Sequence, residues 1–168
     1  EPGANGLTVV PYFNGVLQPE VLPDMRGVFF GVSLGTKKPQ FVRAIFEGVG
    51  YMLRENIEFL ESIGLKVDEI RSFGGGSRSG VWQQIKADIV NKRICTMHHT
   101  ESASLGVAAL AAVASGMYPD IKTAVGVNEP HVVYEPDTNN RDLYDGLYRK
   151  YLTVFERTKG LFGTGILP

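Results

Sequence analysis

Cysteine is almost absent from this chain of 168 residues: Cys95 stands alone. No intrachain disulfide can form, so a reducing, cytoplasmic compartment is the expectation. Inside the apolar run Arg93-Ile94-Cys95-Thr96-Met97, the thiol reads as buried filler rather than as a nucleophile. An excess of charge is missing too. Against 18 acidic residues stand 17 basic ones, for a net charge of −1. No basic stripe is visible, so no nucleic-acid partner is expected. Long hydrophobic runs are also lacking. The longest, Leu105 to Ala114, is about half the length a bilayer requires, which argues against a membrane partner. His98 and His99 are adjacent. They cannot share one helical face, and no ligand-spaced partner follows, so no metal site is expected. The opening Glu1-Pro2-Gly3-Ala4-Asn5-Gly6 has loop composition and no initiator methionine, and reads as a cut through a loop of a longer protein.

What is present begins with Phe73-Gly74-Gly75-Gly76-Ser77-Arg78-Ser79-Gly80. The stretch joins an extended apolar segment to a helical one. Glycine takes positive φ at little cost and lets backbone approach a ligand closely. The N–H groups opening the next helix lack partners and carry partial positive charge. A nucleotide suits both properties. Two familiar nucleotide motifs fail here. The G-x-G-x-x-G fingerprint counted from Gly74 ends on Ser79, and a Walker loop counted from Gly75 puts Val81 where lysine must stand. A plain strand-to-helix turn with Ser77 or Ser79 as N-cap is the competing reading.

Elsewhere the pattern alternates. Leu7 to Tyr12 and Val28 to Val32 read as strands, separated by an irregular loop over 14–27. From Pro39 to just before Gly64, Phe41, Ala44, Ile45, Gly48, Val49, Met52, Leu53, Ile57 and Leu60 recur at helical spacing. Arg43 and Glu47 on that helix are expected to pair on its surface. Val67 to Phe73 is a strand. A helix over 79–91 should bury Trp82, Ile85 and Ile89, with Trp82 set against a sheet and Gln83, Lys86 and Asp88 wet or serving a site. A strand over 92–97 leads to a helix over 101–115 made mostly of alanine and glycine, which is expected to pack closely on a neighbour or on a ligand. After a short helical turn over 121–125 and an extended piece over 132–136, a helix over 141–159 carries Leu143, Leu147, Tyr151, Val154 and Phe155 along one stripe. Alternation of this kind indicates a layered α/β domain.

Four patches, in order, give the chain a resemblance to the C-terminal half of the FGGY family of carbohydrate kinases. Pro11-Tyr12-Phe13-Asn14-Gly15 resembles the run at the head of that region. Gly27 to Val32, followed after seven residues by Gln40 to Glu47, is similar to the family's second signature. The triple glycine with Arg78, Ser79 and Trp82, and then Glu101 to Ala109, complete the set. Within the family, the glycine turn is most similar to the xylulokinase branch.

The resemblance implies an actin-like ATPase (ribonuclease H-like) fold, a layered sheet with helices, of which the chain is a part. It implies that residues 1–168 belong to the nucleotide-binding domain of a two-domain sugar kinase whose sugar-binding domain lies elsewhere. ATP and Mg²⁺ are then the cofactors, and a sugar, a xylulose-like ketose or related polyol, is the partner. A homodimer is compatible with it. Gly74, Gly75, Gly76, Ser77 and Ser79 are the implied nucleotide-binding residues, with Ser79 reaching the adenine. No catalytic residue and no metal ligand is assigned in this chain. The general-base aspartate and the phosphate-binding hairpin are expected outside it, and Ser33-Leu34-Gly35-Thr36 is not given the hairpin's role. The helix at 101–115 is implied to pack at the hinge between domains. Other readings are a non-catalytic binding module with the actin-like half-fold and a dinucleotide-dependent enzyme. The second lacks both its fingerprint and the acidic residue on a following strand end.

Overall fold

The helical spacing that starts at Pro39 produces the longest element, α1 (Lys38–Ser62). The Lys37 N–H donates to Gln40 Oε1 at 2.6 Å at its start, and Pro39 stands in the first turn, where its missing N–H is no loss. Gly64, at φ +91°, closes the far end, with its N–H on the Glu61 carbonyl. The computed structural model describes residues 1–163. Before α1, β1 (Thr8–Val10) and β2 (Val28–Phe30) pair antiparallel, Thr8 opposite Phe30 and Val10 opposite Val28. After it, β3 (Glu69–Ser72), α2 (Gly80–Val90) and β4 (Arg93–Met97) form a strand–helix–strand unit with parallel strands, Glu69 opposite Arg93. Parallel neighbours need such a crossover. Next come α3 (Ser102–Ala114), the short α4 (Ile121–Val125), β5 (Pro130–Tyr134) and α5 (Arg141–Lys159). β5 runs antiparallel to β4, so the second sheet has the order β3-β4-β5.

The main core lies between α1, α2, α5 and the β1 side. It is rich in tyrosine: Tyr12, Tyr51, Tyr144, Tyr148 and Tyr151 pack with Met25, Ile85, Ile89 and Phe155. Buried phenols need partners, and carboxylates on α1 supply several. Tyr12 and Tyr151 donate to Glu55, and Tyr148 to Glu58. The stripe of α5 differs from the sequence expectation. Tyr144, Tyr148, Tyr151, Val154 and Phe155 face inward, while Leu143 is exposed. Amphipathic tyrosine can bury its ring and still satisfy its hydroxyl, so it takes the place a leucine was assigned.

Two further expectations are corrected. Arg43 and Glu47 do pair, at 2.7 Å, but not on the surface. Glu47 is 2% exposed and also accepts from the Gly3 N–H at 2.8 Å, while Arg43 reaches the Tyr144 hydroxyl. The chain's first loop covers them. Close packing of α3 on a neighbour is also not observed over most of its length. It leans chiefly on α4, only Ala109 is buried, and Val107 and Leu110 stand well exposed.

Candidate functional site

β3 delivers the chain into the glycine turn with its last paired residue at Ser72. Gly74 then takes φ +75° and ψ −175°, a region closed to residues with a side chain. Its N–H donates to the Thr100 carbonyl at 2.8 Å, which ties the turn to the start of α3. Gly75–Arg78 make one 3₁₀ turn. The first N–H groups of such a turn have no partner inside it, and here Gly75 and Gly76 hold those places. A Cβ added at Gly74 or Gly75 would meet nothing within 4 Å. The main chain at these two residues therefore presents an open face. Gly76 differs, since a Cβ there would come within 2.9 Å of the Trp82 ring.

The turn is held from beneath by side chains. Ser77 is buried, and its hydroxyl donates to the Gly74 carbonyl at 2.7 Å. Ser79 caps α2, its hydroxyl oxygen accepting from the Trp82 N–H at 3.4 Å. Its hydroxyl proton has no acceptor among the described residues. Gln83 was expected to stay wet or serve a site. It is not wet: it is fully buried and donates to the Gly76 carbonyl of the turn at 2.8 Å. Asp88, also expected wet or serving a site, is buried and accepts from the Asp137 N–H and from Gln84. Both are polar residues facing the loop side of an amphipathic helix, a position that periodicity alone does not distinguish from a solvated one. Trp82 is half-buried against α1, not on the sheet. It stacks on Phe46 at 4.8 Å and donates to the Phe46 carbonyl at 3.2 Å. Lys86 lies over the Trp82 ring and near Ser72, and burial pulls its ammonium below the ordinary lysine range. Arg78 is well exposed, 3.5 Å from both Glu101 and the Thr100 hydroxyl.

All five predicted nucleotide-binding residues thus share one turn. Gly74 and Gly75 offer backbone, Gly76 rests on Trp82, Ser79 offers a hydroxyl, and Ser77 fixes the Gly74 carbonyl. Gln83, read only as wet or serving a site, and Trp82, read as packing on a sheet, are the supports whose role under the turn the sequence did not assign. Their signal was present only as an amide and an indole in the first turn of the helix after the glycines. Among the described residues, no group of three or more His, Cys, Asp or Glu could hold a metal ion. No described helix is long and apolar enough to cross a membrane.

Residues 1–115 match the FGGY family of carbohydrate kinases, C-terminal domain. A xylulose kinase of Staphylococcus epidermidis (strain RP62A) is 38% identical over 160 residues, covering 95% of this chain and 32% of that protein. The crystal structure of ligand-bound xylulose kinase from Lactobacillus acidophilus is 27% identical, with a TM-score of 0.85 over 97% of this chain and 33% of that one. A gluconate kinase from the same organism superposes with a TM-score of 0.84, at 27% identity and over 97% and 33% of the two chains. The α/β layers are therefore part of an actin-like ATPase fold. The chain spans about a third of the length of the curated relatives it matches.

Proposed function

This chain belongs to the FGGY family of carbohydrate kinases, and from that premise we propose that residues 1–168 are part of the C-terminal, nucleotide-binding domain of a two-domain sugar kinase. In the complete protein the γ-phosphoryl group of ATP is transferred to a hydroxyl of a xylulose-like ketose or related polyol, in the cytoplasm. The observation that carries this reading is the open main-chain face at Gly74 and Gly75. A purine nucleoside can lie flush there only because no Cβ intervenes.

Each residue of the turn has a task. The N–H groups of Gly75 and Gly76, without a partner among the described residues, face the adenosine and its first phosphate. Ser79, with its oxygen engaged by the Trp82 N–H, donates its proton to a purine ring nitrogen. Ser77 and Gln83 are positioning residues: they clamp the carbonyls of Gly74 and Gly76, so the open face does not have to be ordered when the nucleotide arrives. Mg²⁺, when bound with the nucleotide, would supply charge neutralisation for the transfer. No carboxylate of this chain is given to it. The aspartate that accepts the sugar's proton belongs to the sugar-binding domain.

ADP titration of the full-length protein tests this. Gly75→Val is expected to weaken ADP binding by about tenfold or more, since a branched side chain fills the contact face. The melting temperature should stay unchanged, since the added Cβ has room. Unaltered ADP affinity in that variant sinks the assignment. A panel of ketoses and polyols with ATP then identifies the acceptor.

A further inference from the structure

The two adjacent histidines, dismissed as a metal site for want of a partner in sequence, have one in space. His98 follows the end of β4, and its N–H donates to the Glu129 carbonyl at 3.1 Å. This brings it beside His131 on β5, with ring centroids 4.5 Å apart and planes tilted by 50°. Both side chains are exposed, and among the described residues neither imidazole has a hydrogen-bond partner. They share the wall of a cavity of about 450 Å³ with Ser77, Arg78, Thr100 and Tyr134. Among the described residues, none of the three turn glycines and no carboxylate lines it.

The described lining presents positive charge and hydroxyl protons, and the neighbouring carboxylate, Glu101, lies beside Arg78 outside it. A cation entering it would face the Arg78 guanidinium with no anionic ligand, whereas an oxyanion finds a permanent charge and two groups able to hold a proton. We propose that this cavity binds the phosphate group of a small phosphorylated molecule, with His98, His131 and Arg78 as its donors. Arg78 is not locked away from such a ligand. Its pairing with Glu101, at 3.5 Å between two well-exposed groups, is of the weak, exchangeable kind. The two rings stand close enough, with centroids 4.5 Å apart, for a ring N–H of each to reach oxygens of one phosphate group. The other titratable groups bordering the pair are Glu101 at the start of α3, Glu129 just before β5 and the exposed His99, whose N–H is held by Asn128. The proposal stands independently of the nucleotide reading.

The test is titration of the full-length protein with inorganic phosphate, a pentose phosphate and ADP. Binding is followed by calorimetry and by the histidine ring signals in NMR. Inorganic phosphate and the pentose phosphate are expected to move the His98 and His131 signals. The double variant His98→Gln/His131→Gln should weaken both ligands about tenfold or more, and Arg78→Gln should weaken them as well. Each single histidine variant serves as a second measurement should the double one unfold. Gly75→Val should leave phosphate binding intact, which separates this outcome from failure of the adenosine assignment. Ring signals that phosphate does not move, affinity unchanged in the variants, sensitivity confined to ADP, or Zn²⁺ capturing the pair while phosphate has no effect would each overturn the proposal.

Discussion

At the scale of single residues, the turn separates affinity from stability. Gly74 sits at φ +75°, so Gly74→Ala should cost about 1–3 kcal/mol of folding free energy through backbone strain. Gly75 has no such conformation and open space beside it, so its substitution should register in nucleotide binding alone. Urea denaturation of the two variants side by side distinguishes the cases. Glu47 gives a second contrast. Buried, and bonded to Arg43, the Gly3 N–H and Tyr144, it should cost about 2–4 kcal/mol when replaced by Ala, because three donors lose their acceptor at once. A urea midpoint close to that of the parent would contradict this account of Glu47. Glu55 responds to pH. Burial raises its carboxyl above the usual carboxylate range, against the lowering effect of hydrogen bonds from Tyr12 and Tyr151. A folded-state pKa above the unfolded one means that the group's stabilising contribution is complete below the unfolded value, about 4.3 for Glu, and fades as pH rises through the folded value. The stability of Glu55→Gln relative to the parent should thus shift in the variant's favour between pH 4 and pH 7, read from urea midpoints at the two pH values.

At the scale of elements, α1 and α2 form the platform under the glycine turn. Their contact is made close by glycine. A Cβ at Gly50 would stand 2.6 Å from Ile89, and one at Gly48 would stand 2.6 Å from the Val9 carbonyl oxygen on β1. The oxygen cannot move aside as a side-chain tip can. Gly48→Ala is therefore expected to destabilise by about 1–3 kcal/mol, and calorimetric melting checks it. Trp82 joins this platform to the turn, stacking on Phe46 while lying under Gly76. Trp82→Ala should lower both stability and ADP affinity, whereas Trp82→Phe should retain most of the stability, since it keeps a ring against Phe46. Equal loss of affinity in both variants would mean that the indole N–H on the Phe46 carbonyl, rather than the ring, sets the turn. The helices α1, α2 and α5 were legible because their apolar spacing is strong and their ends carry Pro39, Ser79 and Gly64. The packing of α3 was not, because a run of alanines has nearly the same hydrophobicity on every face and does not say which one is covered.

At the scale of the whole molecule, the part and the complete kinase should behave differently. The 168-residue chain alone is expected to phosphorylate no sugar in a coupled assay over the ketose and polyol panel. Measurable turnover would mean that the proton acceptor lies in this chain after all. Sequence patterning by itself determined the order of strands and helices, the place of the triple-glycine turn and the family, since each depends on neighbours within a few residues or on motifs read in order. Tertiary structure alone decided which face of the turn is open, that Glu47 and Gln83 are buried, that α5 turns tyrosines inward, and that His98 meets His131. Those facts depend on segments distant in the chain: the first loop laid over α1, α5 laid against α1 and α2, and β5 returned antiparallel along β4. Local spacing cannot record an encounter between residues so far apart.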